Sequence, residues 1–151
     1  MGKRIYEFTV IDRPIPMGRK RVNNTGDKPH HYTESKDVRS LYMIRKCFLD
    51  AYPRDESEAS LITGPVFLAV RYFHKAPATM SRKKRMAAWM APAVITKPDI
   101  PNLLAQVADA LTGYAYVDDS RIVESCQWKF YAIDQDGNDT PPRFTVIVRE
   151  L

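Results

Sequence analysis

Residues 96–124 read T-K-P-D-I-P-N-L-L-A-Q-V-A-D-A-L-T-G-Y-A-Y-V-D-D-S-R-I-V-E. Leu103, Leu104, Val107, Ala108 and Leu111 recur there at helical spacing. Gly113 stands where a helix stop belongs. An aromatic turn follows, Tyr114 to Tyr116, and Ile122–Val123 opens a strand-like run. The helix has one acid before it, Asp99, and an acidic pair after it, Asp118–Asp119. Such an arm is expected to fold its acidic ends back toward each other. Carboxylates that converge in a basic chain suit a hard cation beside a phosphate.

Before this arm lies a basic segment. Lys75 is followed by Arg82, Lys83, Lys84 and Arg85, and Ser81 is placed to cap a short helix running through Met86, Trp89 and Met90. Val66 to His74 is apolar on both faces until Arg71, which predicts a central strand. Thr33 is placed to cap a helix from Glu34 to Tyr52, with Val38, Leu41, Tyr42, Phe48, Leu49 and Tyr52 on its apolar face and Pro53 as its stop. Residues 54–63 read as an acidic linker. Ile5 to Ile11 alternates as a half-buried strand does. Between that strand and the first helix runs a long polar loop bearing Arg19, Lys20, Arg21 and Lys28, and a loop of that length without structure is usually functional or mobile. After the arm, Arg121 to Ile133 and Phe144 to Val148 read as two strands joined by a turn at Asp136-Gly137. The order is β-α-β-α-α-β-β, which predicts an α+β domain with helices on one side of a small mixed sheet.

The whole chain, 151 residues, reads as a single domain, residues 1–151. A net charge of +5 and a pI near 9.2 favour a polyanionic partner. Cys47 and Cys126 read as buried thiols of a reducing compartment. No apolar run reaches membrane-spanning length and the first residues lead into a strand, so a soluble, cytoplasmic protein is expected. His30, His31 and His74 are not at metal-ligand spacing, and no Ser-His-Asp set, phosphate-binding Gly loop or Cys pair is present. These absences exclude several classes of chemistry and leave the acids.

Asp99 has two readings. It caps the following helix, or its carboxylate is free. Pro101 biases Ile100 away from helical angles and favours a helix start at Pro101, which puts Asp99 one residue early for ordinary capping. Asp118 and Asp119 are a solvated turn, or a strand entry that sends the two side chains to opposite faces, so that one of them meets the cation. Asp109 shares a helix face with Asn102 and is placed to hydrogen-bond the turn that follows.

Lys97-Pro98-Asp99, Asn102-Leu103, Asp109-Ala110-Leu111, Gly113 and Asp118-Asp119 with Ile122-Val123 also resemble, in order and spacing, the RusA-type Holliday-junction resolvases of bacteria and bacteriophages. The resemblance extends over most of the chain. It implies a metal-dependent, structure-specific endodeoxyribonuclease of DNA recombination and repair, with Mg²⁺ or Mn²⁺ as cofactor. It implies a homodimer acting on a four-way DNA junction. Asp99 and Asp119 become metal ligands, Asp118 a supporting group, and Lys97 a cation near the phosphate. Arg19, Lys20, Arg21 and Lys28, with Arg82 to Arg85, become contacts to the DNA backbone. Two positions depart from the family's pattern. Pro101 stands where a second metal-binding acid is usual, and Ala105 where a catalytic lysine is usual. They lie one turn apart on one face, so both changes strike one corner of the site. Asn102, Gln106 and Lys97 are the polar residues nearest in sequence. A second reading follows: the same scaffold binding branched DNA without efficient cleavage.

Overall fold

The computed structural model describes residues 2–18, 21–23, 30–32, 35–54 and 61–151. Arg19, Lys20, Lys28 and Thr33 lie outside the described residues, as does most of the acidic linker.

The elements are β1 (Ile5–Val10), β2 (Arg21–Asn23), β3 (His30–Tyr32), α1 (Ser35–Ala51), β4 (Val66–His74), α2 (Arg82–Ala88), α3 (Ile100–Leu111), a 3₁₀ turn (Asp119–Arg121), β5 (Ile122–Tyr131) and β6 (Arg143–Glu150). The expected order holds, with β2 and β3 added as a short antiparallel hairpin inside the basic loop. The main sheet runs β1-β6-β4-β5. It is mixed: β4 pairs antiparallel with β6 and parallel with β5. This is an α+β domain, as the element order predicts.

β4 is central because its residues can be. Val66, Leu68, Val70 and Tyr72 face α1 and α3, where they meet Phe8, Ile44, Phe48, Leu103, Val107 and Leu111 in the main core. The opposite face holds Phe67, Ala69, Arg71 and Phe73. Three guanidinium groups lie over rings there: Arg143 over Phe73, Arg71 over Trp128, and Arg149 over Phe67. The two cysteines are free and half-buried, one in α1 and one in β5. Among the described residues no helix is long and apolar enough to cross a membrane.

α3 ends as its sequence requires. Thr112 is the C-cap and Gly113 takes φ +76°, a left-handed value that a side chain would oppose. The Gly113 amide donates to the Tyr116 carbonyl, and the Tyr116 hydroxyl donates to Ala108 O at 2.8 Å. Burial pushes the Tyr116 hydroxyl pKa up, with Asp119 and Asp109 adding to the shift. The tyrosine thus closes the turn expected of Asp109. The Asp109 side chain is exposed, and its backbone carbonyl accepts from Thr112.

Candidate active site

The carboxyl end of the parallel β4–β5 pair and the amino ends of α1 and α3 lie together. Crevices at the carboxyl ends of parallel strands are where open sheets commonly bind ligands. Here a cleft of about 600 Å³ is lined by Arg13, Lys36, His74, Lys75, Lys97, Asp99, Asn102 and Tyr131, among others. Among the described residues its wall carries four cationic side chains and one carboxylate, Asp99. A neighbouring groove shares Asp99 and adds Gln127, Trp128 and Lys129.

Asp99 is the N-cap of α3 by position, in extended backbone geometry, yet its side chain makes no capping bond. The helix begins at Ile100, one residue before Pro101, so Asp99 is not displaced from the cap as the proline suggests. Its carboxylate is nevertheless exposed and uncommitted, at the positive end of a twelve-residue helix. Lys97 is exposed on the same strap and lines the same cleft.

Backbone and side-chain bonds fix this strap. The Met17 amide donates to Asn102 O at 2.9 Å, tying the segment after β1 to the first turn of α3. Lys129 Nζ donates to Thr96 O at 2.5 Å and to Pro98 O at 2.9 Å. The intervening Lys97–Pro98 peptide is cis.

Lys129 and its neighbours are what the sequence reading passes over. Lys129 pairs in register with Tyr72, and Gln127 with Val70, so both face the helices. Burial and then the charge of Lys129 lower the pKa of His74 to about 4, which leaves the imidazole neutral at pH 7. His74 Nε2, Tyr72 Oη and Gln127 Nε2 are buried without a hydrogen-bond partner. An inward-facing Gln-x-Lys on a strand is a sequence signal for such a polar floor, provided its register is known.

Asp37, in the first turn of α1, is a second residue the sequence reading omits. It is only 3% exposed and its Oδ1 has no hydrogen-bond partner. Gly18 packs so tightly on this carboxylate that a Cβ there would overlap it. Gln106, read above as a polar group near the Pro101 corner, instead turns inward. Its Nε2 donates to Asp37 O at 2.9 Å and joins α3 to α1.

Asp118 and Asp119 do not line the cleft with Asp99. α3 spans about 18 Å between its ends, and the two acids follow its far end. They sit in a 3₁₀ turn, so the opposite-face rule of a strand does not apply to them. Asp118 caps that turn, its Oδ1 accepting from the Ser120 amide at 2.9 Å, and hydrogen bonding to Ser120, first from its side chain and then from its amide, holds the carboxyl below the usual range. Asp119 is exposed; its backbone carbonyl accepts from the Ile122 amide, and its carboxylate has no hydrogen bond or ion pair among the described residues.

The basic cluster on α2 divides. Ser81 accepts from the Lys84 amide as the N-cap, and Arg82, Lys83 and Lys84 are exposed. Arg85 is committed within the fold. Its guanidinium donates to Met80 O, Pro77 O and Asp139 Oδ1, which staples α2 to the β5–β6 turn. Arg21 begins the small hairpin.

Among the described residues no group of three or more His, Cys, Asp or Glu side chains forms a metal cradle. The donors that Asp99 and Asn102 bring to the cleft are oxygens, which suit a hard divalent cation.

These observations describe an α+β domain with a basic, single-carboxylate cleft at the carboxyl end of a parallel strand pair. The family model described as Endodeoxyribonuclease RusA matches residues 13–146, and the chain belongs to that family. A relative from Bacillus subtilis (strain 168), the uncharacterised protein YqaN, is 30% identical over 148 residues, covering 96% of each chain. Membership supports a Holliday-junction resolvase, an endodeoxyribonuclease acting on branched DNA, in a family whose nucleases generally depend on divalent metal.

Proposed function

We propose that this protein cleaves four-way DNA junctions in a Mg²⁺- or Mn²⁺-dependent reaction, with Asp99 as the central acid. The observation that carries the reading is the Asp99 carboxylate at the head of α3, without a partner among the described residues, inside a cleft whose other charged lining residues are cations. Asp119, beyond the far end of α3, does not line this cleft, and Asp99 is the residue assigned to the cation. When bound, it supplies Lewis-acid polarisation of the scissile phosphate and a hydroxide nucleophile. Lys97, beside Asp99, is placed to offset charge developing on the phosphate. Asp118 holds the turn that carries Asp119.

Arg13, Lys36 and Lys75 line the cleft and serve as phosphate contacts, which position DNA without reading its sequence. Arg82, Lys83 and Lys84 extend that path. Arg19, Lys20, Arg21 and Lys28 are assigned to it by their charge. A C2 homodimer matches the two-fold symmetry of a four-way junction and places one cut on each of two opposing strands.

A second reading, a branched-DNA binder with weak cleavage, is favoured by Pro101 and Ala105, which leave Asp99 as the sole acid lining the cleft among the described residues. Incubation with a synthetic four-way junction, with and without Mg²⁺ or Mn²⁺, separates the two. Paired, metal-dependent nicks support the first. Tight binding without nicks, under both metals, supports the second.

A further inference from the structure

Lys129 is 9% exposed and lies on β5 beneath the strap that carries Lys97 and Asp99. Among the described residues both of its hydrogen-bond partners are backbone carbonyls, Thr96 O and Pro98 O. No carboxylate lies within ion-pair distance of it among the described residues. Taking an ammonium out of water costs several kcal/mol unless its charge is compensated. A tether needs only a donor, and a neutral amide is a cheaper one. Around Lys129, the orphaned atoms of Tyr72, His74 and Gln127 offer no anion either. Buried unsatisfied groups are rare in native proteins and call for a reason. Here charge and orphans lie together below a cleft whose one acid is Asp99.

We propose that Lys129 is the positioning residue of this site: by gripping the carbonyls on both sides of Lys97 it fixes the strap that presents Asp99, and it keeps a buried positive charge beneath the cleft. The inference rests on the nuclease reading above. The geometry divides the labour along the strap. The carbonyls of Thr96 and Pro98 point down to Nζ, and the side chains of Lys97 and Asp99 are exposed to the cleft. The lowered pKa of His74, which lines that cleft, is consistent with the charge of Lys129 reaching it.

The test uses the full chain with Lys129→Met, Lys129→Gln and Lys129→Arg. Four quantities are measured: single-turnover cleavage of a four-way junction in Mg²⁺, junction affinity in EDTA, Mn²⁺-induced broadening of the amide signals of Thr96, Lys97, Asp99 and Ile100, and the NMR titration of His74. Lys129→Met is expected to lower cleavage about 10–100-fold, the range typical of residues supporting a metal site. Junction affinity stays near the parent's, the Mn²⁺ broadening weakens, and His74 titrates higher. Lys129→Arg restores most of the cleavage, and Lys129→Gln restores less. Parent-like cleavage and broadening in Lys129→Met overturn the proposal. Gln equal to Arg, with His74 unmoved, overturns the role of the charge. If Lys129→Met does not fold, the Arg–Gln contrast decides. If the parent shows Mn²⁺ broadening at 96–100 without cutting DNA, the nuclease reading fails, and loss of that broadening in the variants still supports the positioning role. No broadening in the parent overturns both.

Discussion

The two ends of α3 both carry aspartates, and the protein treats them differently. At the amino end, Asp99 occupies the cap position and leaves its carboxylate unbonded, while carbonyls around it are held by Lys129 and the Met17 amide. At the carboxyl end, Asp118 bonds its own turn and Tyr116 folds back onto the helix. One end is fixed through its backbone so that a side chain stays available. The other uses side chains to fix its backbone. An acid that declines an available helix cap is the stronger candidate for chemistry.

The comparison is broken most directly at Asp99. Asp99→Asn is expected to lower junction cleavage about 100-fold or more, since supporting residues alone are worth 10–100-fold, and to leave the melting temperature nearly unchanged, because no capping bond is lost. A large drop in melting temperature would show that the carboxylate is structural after all. Next comes repair of the departures. Pro101→Asp with Ala105→Lys adds a hard ligand and a cation on the face beside Asp99, and cleavage is expected to rise by roughly tenfold or more, with the pair exceeding the sum of the singles. An unchanged rate would mean that other residues already fill those roles.

The α2 cluster gives the third contrast. Replacing Arg82, Lys83 and Lys84 with Ala should flatten the salt dependence of junction binding by a slope of up to about 0.9 per lost phosphate contact, with stability unaffected. Arg85→Met should do the reverse: it should lower stability by about 1–3 kcal/mol through the unpaired groups it leaves, with the salt slope unchanged. Equal salt effects in both variants would place Arg85 on the DNA path.

The smallest effects are those of pH on stability. His74 has a folded pKa near 4 against an ordinary 6.5, so the unfolded chain binds the extra proton between those values. Its contribution is present above pH 6.5 and is lost as pH falls toward 4, and His74→Gln should flatten a melting curve across that window. Asp118 has the carboxylate sign. Its bond to Ser120 stabilises above the ordinary carboxylate pKa and is lost as pH falls through the lowered folded value. Asp118→Asn should therefore lower the melting temperature at pH 7 and not at pH 2. A deficit that persists in acid would mean the side chain acts by packing instead.

What the sequence makes legible follows from how local each cause is. The nine-residue apolar run of β4 is recovered with both its ends, Val66 and His74, because burial on two faces writes itself into consecutive residues. Ser81 announces α2, and Gly113 the stop of α3, through single-residue chemistry. The hairpin β2–β3 escapes because three-residue strands in a polar, basic loop have no apolar alternation to read. The 3₁₀ turn at Asp119 escapes because two acids before a β-branched run look like a strand entry. Lys129 escapes for a reason of register. The β4–β5 ladder shifts at Val66/Phe67, so the inward face of β5 cannot be counted from its first residue. That β6 lies between β1 and β4 is written nowhere locally, since strand pairing is decided by distant partners.

That insertion sets a timetable. The strand that joins β1 to the rest of the sheet is β6, with Thr9 opposite Thr145. On a ribosome adding about 5–20 residues per second, β1 waits on the order of ten seconds for its neighbour to be made. During that wait, Phe8 and Val10 lack their strand partners, Val146 and Phe144. The newborn chain is therefore most exposed to misassociation before β6 is made, and the sheet closes from the middle.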